Sequence, residues 1–67
     1  MITKKDLELL KNKHVAVGVP HLVVSDKIFF YYGFLKDITE SEIKLMTKNG
    51  FKIVEIEKII DIHEYEF

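Results

Sequence analysis

The chain has 67 residues, with no cysteine and no arginine. It contains ten lysines and eleven acidic residues, which gives a net charge of −1. This length allows one domain with a small core, and the missing cysteines exclude disulfides and zinc–thiolate sites. The missing arginines argue against a strong nucleic-acid binder, because arginine is the residue best suited to bidentate phosphate contacts. So short a chain buries about 60% of its unfolded surface, and we expect association with further copies to support the fold.

The first residues carry the signals of a short helix. Thr3 and Asp6 form a variant of the capping box, and Ile2 and Leu7 are placed to form a hydrophobic staple across it. Asn12 is a suitable stop. We predict a helix over residues 4–12, too short to be stable alone, whose leucines dock on a sheet.

Alternation of apolar and polar residues then predicts strands. A first strand starts at His14 and ends or bends at Pro20, and extended structure resumes over residues 22–24 before a turn at 25–27. A third strand over 43–45 leads to Asn49-Gly50, which is the strongest short hairpin signal. The fourth and fifth strands follow over 51–56 and 59–62. A C-terminal helix is the alternative for residues 53–65, although their isoleucine and valine content favours strands.

The most apolar and aromatic stretch, residues 28–38, predicts a long central second strand. Both of its faces are apolar, so we expect both to be covered. Gly33 in its middle indicates a bend or a close approach of another backbone. A long, bent strand of this kind predicts a small closed barrel, with Phe29, Tyr31 and Leu35 on its apolar outer face.

A short helix followed by five strands, with a bent second strand and an Asn-Gly hairpin, resembles the Sm-like barrel family, which includes the Hfq-like RNA chaperones. The resemblance covers residues 3–62. Residues 7–17 resemble the family's entry into strand one, Gly33 to Leu45 resembles its first motif, and Val54 to Ile62 lies where its second motif would be. It implies a mainly β fold, a five-stranded SH3-type barrel with an N-terminal helix. It also implies rings in which strand four of one subunit joins strand five of the next.

The RNA pocket that this family commonly carries is not matched. Its first loop corresponds to Thr39, Glu40 and Ser41, which offer no aspartate and no stacking ring, and its second loop reads Glu55-Ile56-Glu57. Negative residues there repel phosphate. We therefore hold two hypotheses: a non-enzymatic, oligomeric, RNA-associated protein, and a protein-interaction or assembly module that binds no nucleic acid.

Candidate residues follow from these hypotheses. For a single-stranded RNA they are the basic residues of the predicted helix and one ring, namely Lys4, Lys5, Lys11, Lys13 and Tyr31. For an interface with further copies or with a protein partner they are Phe29, Leu35, Val54, Ile56 and Ile60.

No residues point to catalysis, a cofactor or a metal. His14, His21 and His63 lie in three different segments, without the short spacing that metal ligands need. No apolar run approaches the roughly 20 residues of a membrane span, and the N-terminus lacks the apolar core of a signal peptide. We expect a soluble, cytoplasmic protein.

Overall fold

The computed structural model describes residues 2–21, 23–24 and 26–66. In chain order it contains one helix and five strands: α1 (Lys4–Leu9), β1 (His14–Pro20), β2 (Ile28–Ile38), β3 (Glu42–Thr47), β4 (Gly50–Glu55) and β5 (Asp61–Glu64). A single 3₁₀ turn, Ile56–Lys58, separates β4 from β5. The prediction of a mainly β protein with five strands and one short helix is confirmed. Residues 53–65 contain the end of β4, the 3₁₀ turn and β5 rather than one C-terminal helix.

The helix begins where its cap predicts. The Thr3 hydroxyl accepts a hydrogen bond from the Asp6 N–H, and the Asp6 carboxylate accepts one from the Thr3 N–H, which completes the capping box. Leu7 is fully buried in the core and Ile2 packs against the same core. The helix ends at Leu9, three residues before the predicted stop. Asn12 instead takes a positive φ of 66° and donates its N–H to the Leu35 carbonyl, which leads the chain into β1.

The strands form one antiparallel sheet in the order β4-β3-β2-β1-β5. Its edges are β4 and β5, and these two strands are not paired with each other in the part of the chain that the structure describes. The sheet is therefore open, where the sequence predicted a closed barrel. Val54 of β4 and Ile62 of β5 nevertheless share one core cluster, so the sheet folds around its own inner face.

The long strand β2 connects the two halves of this sheet. Its pairing with β1 runs from Ile28 to Phe34, and its pairing with β3 runs from Phe34 to Ile38. A register shift between Leu35 and Asp37 places one extra residue in β2. Because a bulge reverses the alternation of side chains, Leu35 and Ile38 both reach the core although three positions separate them.

The two faces of β2 are the reverse of what the sequence predicted. Leu35 is fully buried, with 0% of its surface exposed, and belongs to the inner face with Tyr31. The outer face holds Phe30, Tyr32 and Phe34, which share it with Ala16 and Met46 through their strand pairs. Because both faces of β2 are apolar, the alternation alone did not show which one faces the core.

Two loops differ in detail from the prediction. Val23 and Val24 do not continue an extended strand after Pro20, because their N–H groups both donate to Nδ1 of His21 and close a turn. Leu22 and Ser25, which were included in the predicted segments, lie outside the described residues. The β3–β4 hairpin forms as predicted, closed by the pair Thr47 and Gly50, and Gly50 takes a φ of 107°.

Candidate nucleic-acid interface

A groove lies beside the first half of β2. It has a volume of about 850 Å³. One side consists of β2 residues 29–33, and the other consists of residues 46–49, 51 and 52 of the β3–β4 hairpin, with His14 and Tyr65 completing the lining. We call it the aromatic groove. It exists because β3 stops beside Phe34, so the earlier residues of β2 have no strand on that side among the described residues.

Aromatic rings dominate the β2 side of this groove. Consecutive rings of β2 alternate between the two faces of the sheet, so each face holds its own pair. The rings of Phe29 and Tyr31 meet edge to face with their centroids 4.8 Å apart. On the opposite face, the Tyr32 centroid lies 5.0 Å from that of Tyr65 and 6.4 Å from that of Phe30. These rings present π-faces and edges on both sides of one strand.

The opposite side of the groove supplies positive charge. The Nζ atom of Lys52 lies 4.9 Å from the centroid of the Tyr31 ring, and Lys48 is exposed at the tip of the hairpin. Outside the lining, the Nζ atom of Lys44 lies 4.2 Å from the centroid of the Phe51 ring. Ammonium groups at such distances are attracted to the negative face of a ring.

The lining has a charge bias that the whole chain does not have. Its two lysines are accompanied by no aspartate or glutamate among the described residues that line the groove, whereas the chain as a whole has one more acid than lysines. Exposed rings beside lysines, with no carboxylate to repel a phosphate, form a surface that suits the bases and backbone of a single strand.

The predicted nucleic-acid residues do not lie together. Tyr31 lines the groove, but Lys4, Lys5, Lys11 and Lys13 do not. Lys4 and Lys5 are exposed on α1, and Lys11 and Lys13 are exposed in the turn that follows it. The Nζ of Lys13 lies 3.8 Å from a carboxylate oxygen of Glu64, which offsets part of its charge.

The predicted interface residues separate into three environments. Leu35 and Val54 belong to the core, so their side chains offer no surface to a partner, and we correct that part of the prediction. Ile56 is half-buried and packs against the core. Phe29 and Ile60 keep 44% and 51% of their surface exposed. Of the five predicted interface residues, only Phe29 and Ile60 are exposed enough for their side chains to contact a partner.

Sequence reasoning missed Lys48, Lys52, Phe51 and Tyr65 as members of a site with Tyr31. The hairpin signal at Asn49-Gly50 was visible and places Lys48 and Lys52 near one turn. It gave no sign that this turn lies beside the first half of β2, since that depends on where β3 pairs along the longer strand.

Other chemistry finds little support in the described residues. No three histidine, aspartate or glutamate side chains among them are grouped to hold a metal. The ring of His63 lies 3.1 Å from the Asp61 carboxylate, and both side chains are exposed. Within the described part of the chain, no helix has both the length and the apolar character needed to cross a membrane.

Comparison with known proteins identified no similar protein. No family model matches the chain, and no curated protein or solved structure matches it.

Proposed function

We propose that this protein is a non-enzymatic, cytoplasmic binder of single-stranded RNA and that the RNA lies in the aromatic groove. The observation that carries the proposal is the composition of the lining: five tyrosine and phenylalanine rings on or beside β2, a sixth on β4, and two lysines without a carboxylate among the described lining residues. Stacking on such rings is worth about 1–3 kcal/mol per base and tolerates any sequence, because every base has a π-face.

A single groove should bind weakly. Two lysines can neutralise about two phosphates, so the electrostatic contribution is small, and the chain has no arginine to add to it. Several grooves on one assembly would raise the overall affinity, because the second contact of a bound strand becomes intramolecular. The proposed activity therefore fits an oligomer better than a monomer.

The sheet supports association with further copies. Its edges are β4 and β5, the strands that the Sm-like resemblance implies to pair between subunits. Unpaired edges are ready to pair with another strand. Ile53 of β4 and Ile60, next to β5, are exposed apolar residues at these edges. We therefore propose a homo-oligomer joined through β4 and β5, within an Sm-like architecture.

The same edges favour a second candidate function, a protein-interaction or assembly module without nucleic acid. The two candidates differ in what the groove binds. Fluorescence anisotropy with labelled uridine- or adenine-rich single strands at low salt tests this directly. Saturable binding that weakens as salt rises is the expected result. No binding at low salt, together with a purified assembly whose absorbance at 260 nm shows no nucleic acid, would leave the assembly module as the better account.

A further inference from the structure

The β2 side of the aromatic groove is an open strand edge. β1 pairs with β2 from Ile28 to Phe34, whereas β3 joins β2 only at Phe34. Among the described residues, positions 28–33 thus have a neighbouring strand on one side and the groove on the other.

The register shows which main-chain groups point into the groove. The Leu35 N–H donates to the Lys13 carbonyl at 2.9 Å, and the His21 N–H donates to the Lys27 carbonyl at 2.9 Å. Lys13 with Leu35 and His21 with Lys27 are the next pairs in the β1–β2 register, one at each end of the ladder. Since Leu35 and Lys27 both direct a main-chain group toward β1, the odd-numbered residues of β2 between them do the same. In an antiparallel ladder the alternate residues point the other way. The N–H and C=O groups of Phe30 and Tyr32, two residues that line the groove, therefore face it.

These groups suit the edge of an unpaired base. Each residue offers one donor and one acceptor, the two kinds of group that a base edge needs. Alternate residues of a strand are about 6.6 Å apart, roughly twice the 3.4 Å rise per nucleotide of a stacked strand. Successive bases can reach Phe30 and Tyr32 only when they are unstacked, and the flanking rings then provide new stacking partners. In a duplex, the Watson–Crick edges are already paired with the complementary strand and the bases stay stacked, so neither these edges nor the spacing suits the two residues.

We propose that the open edge of β2 binds base edges through the main-chain N–H and C=O groups of Phe30 and Tyr32. The groove therefore accepts unpaired, unstacked nucleotides and rejects duplex. This inference rests on the proposed function, and it adds the class of ligand and the groups that recognise it.

Two variants at one position isolate the main-chain donor. Tyr32→Ala removes the ring and keeps the N–H, while Tyr32→Pro removes both. Proline is tolerated where the N–H faces away from the neighbouring strand, as it does here. We expect wild-type protein to bind a single-stranded oligonucleotide at least about tenfold more tightly than the blunt duplex of the same sequence. A ratio of this size corresponds to the stacking of one base on one ring. Tyr32→Pro should bind the single strand about 2- to 10-fold more weakly than Tyr32→Ala, because the proline variant also loses one main-chain hydrogen bond.

A second measurement does not depend on the folding of the proline variant. In wild-type protein titrated with the single strand, the backbone amide signals of Phe30 and Tyr32 should shift. Equal binding of duplex, or amides that stay unmoved while the ring signals shift, would overturn the inference and leave RNA binding intact. Failure of every oligonucleotide to bind would overturn both. A peptide or second copy paired along residues 28–33 in the absence of nucleic acid would also overturn the inference.

Discussion

The ammonium group of Lys52 lies over the ring of Tyr31, 4.9 Å from its centroid, although β3 separates their strands in the sheet. The contact is possible because β3 does not run beside the first half of β2, so that the hairpin residue reaches across the aromatic groove. It joins the two sides of the groove and places a positive charge next to a ring that can stack a base.

Removing the groove lysines should weaken RNA binding more than removing the helix lysines. The double variant Lys48→Gln, Lys52→Gln eliminates the charges of the two lysines found among the described residues of the lining. We expect lower affinity and a slope of log affinity against log salt that is shallower by about 1.4, from about 0.7 for each of two phosphates on a single strand.

The matched control is Lys4→Gln with Lys5→Gln, which changes the net charge equally but lies outside the groove. Anisotropy titrations at several salt concentrations compare the two. An equal loss in both double variants would mean that overall charge, and not the groove, attracts the RNA.

Truncating an exposed ring of the groove should cost affinity without unfolding the protein. Phe51 has 56% of its surface exposed, so Phe51→Ala leaves no core cavity. It removes a ring that can stack a base, and we expect a loss of about 1–3 kcal/mol of binding free energy. Leu9→Ala removes a comparably exposed apolar side chain from α1 and should leave RNA affinity unchanged. If titration calorimetry gave equal losses for both, stacking on Phe51 would be excluded.

Two glycines should resist substitution for different reasons. A Cβ at Gly33 would lie 2.7 Å from the Met46 carbonyl oxygen, which is backbone and cannot move aside. Gly33→Ala should therefore lower the free energy of unfolding by about 1–3 kcal/mol through overpacking. At Gly50 no atom of the described residues lies within 4 Å of such a Cβ, but φ is +107°. Gly50→Ala should therefore lower the free energy of unfolding by about 1–2 kcal/mol through backbone strain.

Asparagine distinguishes the two causes, since it tolerates a positive φ better than alanine. Urea denaturation should show Gly50→Asn to be more stable than Gly50→Ala, and Gly33→Asn to be no better than Gly33→Ala. A neutral Gly33→Ala would contradict the close approach of β2 and β3 at this position.

The capping box should make the helix sensitive to acid. Hydrogen bonds from the Thr3 N–H, and then from its hydroxyl, lower the pKa of the Asp6 carboxyl below its ordinary value of 3.8. A lowered pKa means that the folded state favours the carboxylate. The stabilisation is therefore complete above pH 3.8 and is lost as the pH falls through the lower folded pKa.

A carboxyl-carbon NMR titration should place the Asp6 midpoint below 3.8. Thr3→Val should raise that midpoint part of the way, because it removes the hydroxyl but keeps the backbone N–H. In Asp6→Asn the helical circular dichroism should lose this dependence on pH. A midpoint unchanged by Thr3→Val would show that the hydroxyl does not contribute.

The local features of this protein were readable from its sequence, because each depends on residues close together in the chain. The capping box needs only Thr3 and Asp6, and the hairpin needs a residue such as Gly50 that accepts a positive φ. The β-branched and aromatic runs set the number of strands, and they favoured strands over a helix near the C-terminus.

Tertiary pairing decided the rest. Both faces of β2 are apolar, so alternation could not tell that Leu35 faces the core, and the bulge between Leu35 and Asp37 then reversed the parity for Ile38. The aromatic groove depends on β1 and β3 pairing with different halves of β2. The position at which each of these strands pairs along β2 depends on packing between residues far apart in the chain, so no local sequence pattern predicts it.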